Sequence, residues 1–117
     1  MNKDCIFCKI VNREIATEII FEDDLVMAFA DVHPVASVHV LIIPKEHIES
    51  ISDLTEDKKN EILMGRLIMV ARKIAIGKGI DEAGYKLLIR NGKAGGQEVP
   101  HIHLHLIGGK WYVKTGI

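Results

Sequence analysis

Apolar and polar positions follow two rhythms along this chain, and together they predict its elements. From Thr17 to Val32 (TEIIFEDDLVMAFADV) short apolar runs flank an acidic cluster. That pattern predicts two strands around a turn at Glu22–Asp24. SVHVLIIP, Ser37 to Pro44, is rich in β-branched residues and predicts a third strand. Tyr85–Arg90 predicts a fourth. Ile102–Ile107 predicts a fifth, with apolar and imidazole side chains in strict alternation. Between the third and fourth strands the period changes. Leu63, Leu67, Val70, Ala71 and Ile74 recur at helical spacing, so one face of a long helix packs on the core. Thr55 is the expected N-cap, Glu56 and Asp57 fall in the first turn where the helix dipole favours acids, and Gly77 and Gly79 end the helix. A short helix is expected at Cys8–Arg13. Strands joined by turns with one long helix inserted define an α+β class: a five-stranded antiparallel sheet, one long helix and a short N-terminal helix. The alternating βα units of a doubly wound fold are absent.

Length and composition narrow the possibilities. A chain of 117 residues, 48% hydrophobic and 26% charged, is one ordered domain with room for a real core. Fifteen Lys and Arg against sixteen Asp and Glu leave a formal charge of −1, which argues against a nucleic-acid partner held by a broad electrostatic surface. Apolar runs such as VLII are far too short to cross a bilayer, and MNKDCIFCKI has no secretory pattern. No membrane association and a cytoplasmic location are therefore expected. In that setting the single CxxC, Cys5 and Cys8, suggests a metal or redox pair more than a structural disulfide.

The chemistry concentrates in HIHLHLIGG, from His101 to Gly109. Half of the six histidines lie within five residues. On a strand His101, His103 and His105 share one face with neighbours about 6–7 Å apart, while Ile102, Leu104 and Leu106 share the other. Three imidazoles on one face can bind a metal or form a phosphate-handling site. Three structural histidines would each need a buried partner of their own. The loop NGKAGG runs into this strand, and the Gly95–Gly96 pair lets successive amides converge on a phosphate oxygen. A neutral middle imidazole can attack phosphorus while a flanking one steadies the charge or protonates the leaving group. No Gly-x-Ser-x-Gly elbow or Walker loop offers an alternative. Cys5 and Cys8 with two histidines can form a tetrahedral zinc site. His47, in IIPKEH, is one candidate, and His33 and His39 are others by sequence alone. A catalytic zinc held jointly by the three histidines stays open at this level.

These residues resemble a known family. HIHLHLI fits the His-x-His-x-His pattern of the histidine-triad (HIT) proteins, and GGQEVPHIHLHLIGG is similar to the loop and strand of their Hint-like branch. CIFCKI, IIFEDD, AFADVHP and HVLIIPKEH extend the likeness from about Cys5 to Gly109, leaving the tail KWYVKTGI without a clear match. The resemblance implies a nucleotide-binding hydrolase or transferase acting at the α-phosphate of a nucleoside monophosphate derivative, adenosine by preference, through a nucleotidyl-histidine. It makes His103 the nucleophile, His105 the phosphate contact, His39 a supporting histidine and Asp31 the acid that binds the ribose hydroxyls. Phe7, Ile10, Phe29, Val32 and Leu41 form the base pocket. Asn91, Gly96, Gln97, Glu98 and Val99 belong to the phosphate-facing loop. Cys5, Cys8, His47 and His101 match a structural zinc site, which puts His101 at the edge of the triad. A homodimer with joined sheets is also implied. Many members carry Ser where this chain has Glu98, and Asn where it has Arg90. A nucleoside phosphoramidate is therefore the leading substrate. A dinucleoside polyphosphate is the alternative, disfavoured by the charge of Glu98. A nucleotide-binding regulatory protein with incidental turnover is the reading outside enzymes.

Overall fold

The computed structural model describes residues 2–116. Its elements are α1 (Ile6–Val11), β1 (Ile19–Glu22), β2 (Val26–Ala30), β3 (Ala36–Pro44), α2 (Lys58–Gly77), β4 (Tyr85–Leu88) and β5 (Leu104–Trp111), with one 3-10 turn at Ile51–Asp53. The strands form one antiparallel sheet in the order β1-β2-β3-β5-β4. The architecture is the α+β class expected from the sequence.

Side-chain alternation divides the core into two layers. On one face Val26, Ala28, Val40, Ile42, Leu104 and Leu106 pack against Leu63, Leu67, Val70, Ala71 and Ile74 of α2. On the other, Met27, Phe29, Leu41 and Ile43 pack against Cys5, Phe7, Cys8 and Ile10 around α1. The odd-numbered side chains of β2 and β3 thus face α1, and so do those of β5, since His105 lies opposite Leu41.

Several boundaries differ from the sequence reading, each for a local reason. The N-cap of α2 is Asp57. Its carboxylate accepts from the Asn60 amide, while the Thr55 hydroxyl donates to that same carboxylate. The β1–β2 turn is centred one residue later, because Asp23 Oδ1 accepts from both Leu25 N and Val26 N. Arg66 of α2 then pairs with Asp23, tying the helix to the turn. Helix α1 starts at Ile6 rather than Cys8, with Cys5 as its N-cap: Cys5 Sγ accepts from Cys8 N. Strand β4 stops at Leu88, before Arg90.

Strand β5 begins at Leu104 rather than Ile102 and runs on to Trp111. Leu104 lies opposite Ile42, so Ile102 would fall opposite Pro44, which has no amide hydrogen to offer. The Ile102 amide donates instead to the Ile48 carbonyl. His101 and His103 therefore precede the strand, yet Ile102 keeps its place in the α2-side core and the alternation survives. At the far end Gly109 sits at φ +78°, and a Cβ there would lie 2.2 Å from Ser37 Oγ. Only glycine fits where the β3–β5 register shifts.

Candidate active site

Above the α1-side layer lies a cavity of about 550 Å³. Phe7 and Ile10 come to it from α1, Phe29 from β2, Leu41 from β3, and Asp31 from just beyond β2. His39, His103 and His105 line it together with Arg90, Gly96, Glu98 and Val99. Val32 also lines it, at the rim, where it is 78% exposed.

Two imidazoles here have tautomers fixed by backbone groups. Val35 N donates to His39 Nδ1 at 3.1 Å, so the His39 proton sits on Nε2. That Nε2 lies 2.9 Å from His105 Nδ1 and 3.2 Å from Asp31 Oδ2, and its hydrogen is donated to them. His105 Nδ1 is thus an acceptor, and its own proton sits on Nε2. His103 is set the opposite way. Its Nδ1–H donates to the His101 carbonyl at 2.8 Å, leaving Nε2 as the free basic nitrogen. Phe7 packs edge-on against the His103 ring, 5.1 Å between centroids, and holds its plane. Burial, foremost, keeps all three neutral at pH 7. His39 and His103 lie below the ordinary imidazole range, and His105 falls to about 4 with help from its two imidazole neighbours. A neutral base beside a neutral donor suits attack on phosphorus.

The sequence-predicted residues do not all reach the cavity. His101 is fully buried and turned away from it. Asn91 is held by Ser52, donating from Nδ2 to Ser52 Oγ and accepting from Ser52 N. Gln97 shapes the loop from within: its Oε1 accepts from Gly92 N, and its Nε2 donates to the carbonyls of Glu49 and Val99. Conversely Ile107 and Trp111 line the cavity without having been singled out. Carrying the odd-numbered alternation of the histidines past His105 would have reached both. Val113, from the tail, joins them.

Behind Phe7 is a second cluster. Cys5, Cys8, His47 and His101 place one donor atom each within 4.8 Å of one another. Cys5 Sγ to His101 Nδ1 is 3.3 Å, Cys8 Sγ to His47 Nδ1 is 3.3 Å, and the two Nδ1 atoms are 3.2 Å apart. Tetrahedral zinc bonds of about 2.0–2.3 Å put ligand atoms roughly 3.3–3.8 Å from each other, so the spacing fits. The proton of His101 is committed to Nε2, which donates to the Pro44 carbonyl at 2.8 Å, and Nδ1 is left as a lone pair facing the sulfurs. Burial pushes the Cys5 thiol up, the situation that a bound cation reverses. Neither His33 nor His39 joins this cluster. The three histidines of the triad do not converge as one ligand set among the described residues; instead Asp31, His39 and His105 form the other close group, already linked by hydrogen bonds.

Fold and site together define a class. The HIT domain matches residues 12–111, and the chain belongs to that family. It is 47% identical over 110 residues to the purine nucleoside phosphoramidase of Escherichia coli K12, covering 94% of this chain and 91% of the relative. A HIT-like protein of Synechococcus elongatus is 46% identical, with 94% of each chain covered. Among solved structures, a HIT family hydrolase from Clostridium thermocellum superposes with TM-score 0.90 at 43% identity, covering 100% of this chain and 97% of that one. A histidine triad protein from Clostridium difficile gives 0.89 at 43%, with 94% of each covered.

Proposed function

We propose that the protein hydrolyses nucleoside 5′-phosphoramidates, purine nucleosides by preference, through a covalent nucleotidyl-His103. The observation that carries this reading is the pair of opposed tautomers: a basic Nε2 on His103 beside a protonated Nε2 on His105, both on residues lining one cavity. The E. coli relative supports the bond type, since it is a purine nucleoside phosphoramidase. In the first step His103 Nε2 bonds to phosphorus as the P–N bond breaks, and the His105 Nε2–H hydrogen-bonds a phosphoryl oxygen as charge builds there. In the second, water displaces the imidazole. Over both steps one water is consumed: a proton from solvent goes to the departing amine in the first step, and in the second the water's hydroxyl joins phosphorus while its proton returns to solvent. Asp31 accepts from the ribose hydroxyls, and Phe7, Phe29 and Leu41 enclose the base.

The test is rapid quenching after mixing with adenosine phosphoramidate, followed by intact-protein mass spectrometry. The expected adduct is one nucleotidyl group, mapped to His103 and absent from His103→Asn. Adduct formation on another residue would refute the assignment. A parallel reaction with a diadenosine polyphosphate is expected to label the protein far more slowly.

We further infer that Cys5, Cys8, His47 and His101 hold a structural zinc. Bound there, it would join α1, the segment after β3 and the approach to β5, and its chemistry would be purely that of a cross-link. Unpaired thiols of this kind suit the reducing cytoplasm. No helix among the described residues is long and apolar enough to cross a membrane.

A homodimer is the third element of the proposal. β4 is the last strand of the sheet, and α2 exposes Ile68, Met69 and Ile76. Two copies joined edge to edge would cover both. Met69→Glu with Ile76→Glu is expected to sediment as a monomer where the parent sediments as a dimer; a monomeric parent would sink the idea.

A further inference from the structure

The charges lining the cavity are unevenly placed. Asp31 and Glu98 are acids, and Arg90 is the one arginine or lysine among the described lining residues. Burial holds His39 below the usual imidazole range and His105 at about 4, so neither supplies a positive charge at pH 7. Arg90 comes two residues after Leu88, which lies opposite His105. It is half-buried, yet it makes no ion pair among the described residues, whereas Arg13 pairs with Glu22 and Arg66 with Asp23. Its positive charge acts on His39, His103 and His105 alike, which puts the guanidinium within range of the whole histidine group.

The loop makes room for it. Gly96 sits at φ +80°, and a Cβ there would lie 3.4 Å from Arg90 Cδ and 3.6 Å from Nε. The arginine stem therefore lies across the bare backbone of Gly96, and among the described residues no carboxylate comes within ion-pair distance of its head group. A half-buried guanidinium without an anion is costly to maintain. The cost is offset when an anion arrives, and a planar fork of N–H donors matches two phosphoryl oxygens.

We propose that Arg90 is the phosphate-binding cation of this cavity, gripping the non-bridging oxygens of the α-phosphate so that the site selects nucleotide over nucleoside by charge. The proposal rests on reading the cavity as a nucleotide site. Arg90 gives the site a permanent positive charge, and its recognition of phosphate acquires a dependence on ionic strength.

Calorimetric titration with adenosine and with AMP tests it on the full-length protein and on Arg90→Gln, Arg90→Asn and Arg90→Lys. The parent is expected to bind AMP roughly 10- to 100-fold more tightly than adenosine, and less tightly as salt is raised. Arg90→Gln and Arg90→Asn should lose most of that gap and most of the salt dependence while keeping the adenosine affinity, which also shows that the base pocket is intact. Arg90→Lys should recover part of the gap. An unchanged AMP-to-adenosine ratio in Arg90→Gln overturns the proposal. So does loss of adenosine binding by all three variants, which would make Arg90 a support of the fold. A parent that binds neither ligand overturns the nucleotide-site reading itself, and the role of Arg90 falls with it.

Discussion

Turnover of adenosine phosphoramidate is expected to fall by about 10⁴-fold or more when His103 is replaced by Ala, as for other enzymes that lose a nucleophile acting in concert with its neighbours. No second imidazole can take over. His105 presents its protonated nitrogen, because His39 donates to the other one, and His101 is committed to the cysteine cluster. His103→Asn provides the control. Its side-chain amide can still donate to the His101 carbonyl, the bond His103 Nδ1 makes, so the approach to β5 keeps its shape while the basic nitrogen is gone. AMP affinity should change only a few-fold in both variants, because Phe7, Phe29 and Asp31 are untouched. Single-turnover kinetics with equilibrium binding separates the two effects. Activity in either variant within tenfold of the parent would exclude His103 as the nucleophile.

Cys8→Ala is expected to reduce bound zinc from one per chain to near zero and to lower stability by about 3 kcal/mol or more, seen as a fall in Tm of roughly 10 °C. Cys8 is 1% exposed and reaches both histidines of the cluster, at 3.3 Å from His47 Nδ1 and 3.7 Å from His101 Nδ1. Removing it leaves three donors whose burial disfavours the charged thiolate of Cys5. Elemental analysis of purified protein, with thermal unfolding before and after chelation, provides the measurement. Zinc content equal to that of the parent would contradict the ligand set. A Tm that chelation leaves unmoved would show that the cluster carries no structural load.

Much of this architecture was readable from periodicity because both faces of the sheet are covered. A strand covered on both sides shows its apolar residues wherever they point, and Ser37–Pro44 was legible for that reason. Ends were harder. Asp57 outcompeted Thr55 as a cap through a bond to the Asn60 amide, which spacing does not reveal. The start of β5 depended on Pro44, distant in sequence, falling opposite Ile102. The site shows the same division. Side chains that alternate with the triad were legible, whereas the grouping of CxxC with His47 and His101 came from the resemblance to the HIT proteins, since spacing alone left His33 and His39 open as well. Asn91 and Gln97 were harder to place, because both types serve loops as readily as ligands. Only the fold shows that Ser52 holds one and that Gly92, Glu49 and Val99 hold the other. The significance of Arg90 needed the cavity, since an unpaired cation is recognised by what does not surround it.

His101 has two attachments whose joint effect extends beyond either. Its ring points to the cysteines, and its carbonyl accepts a hydrogen bond from His103 Nδ1. Phe7 touches both rings, at 5.8 Å and 5.1 Å between centroids. A disturbance of the sulfur cluster, such as thiol oxidation, therefore bears on the residue whose carbonyl orients the His103 ring. If His103 is the nucleophile, as proposed, oxidation of the cysteines is expected to slow turnover while the lining of the cavity stays unchanged, since neither cysteine belongs to it.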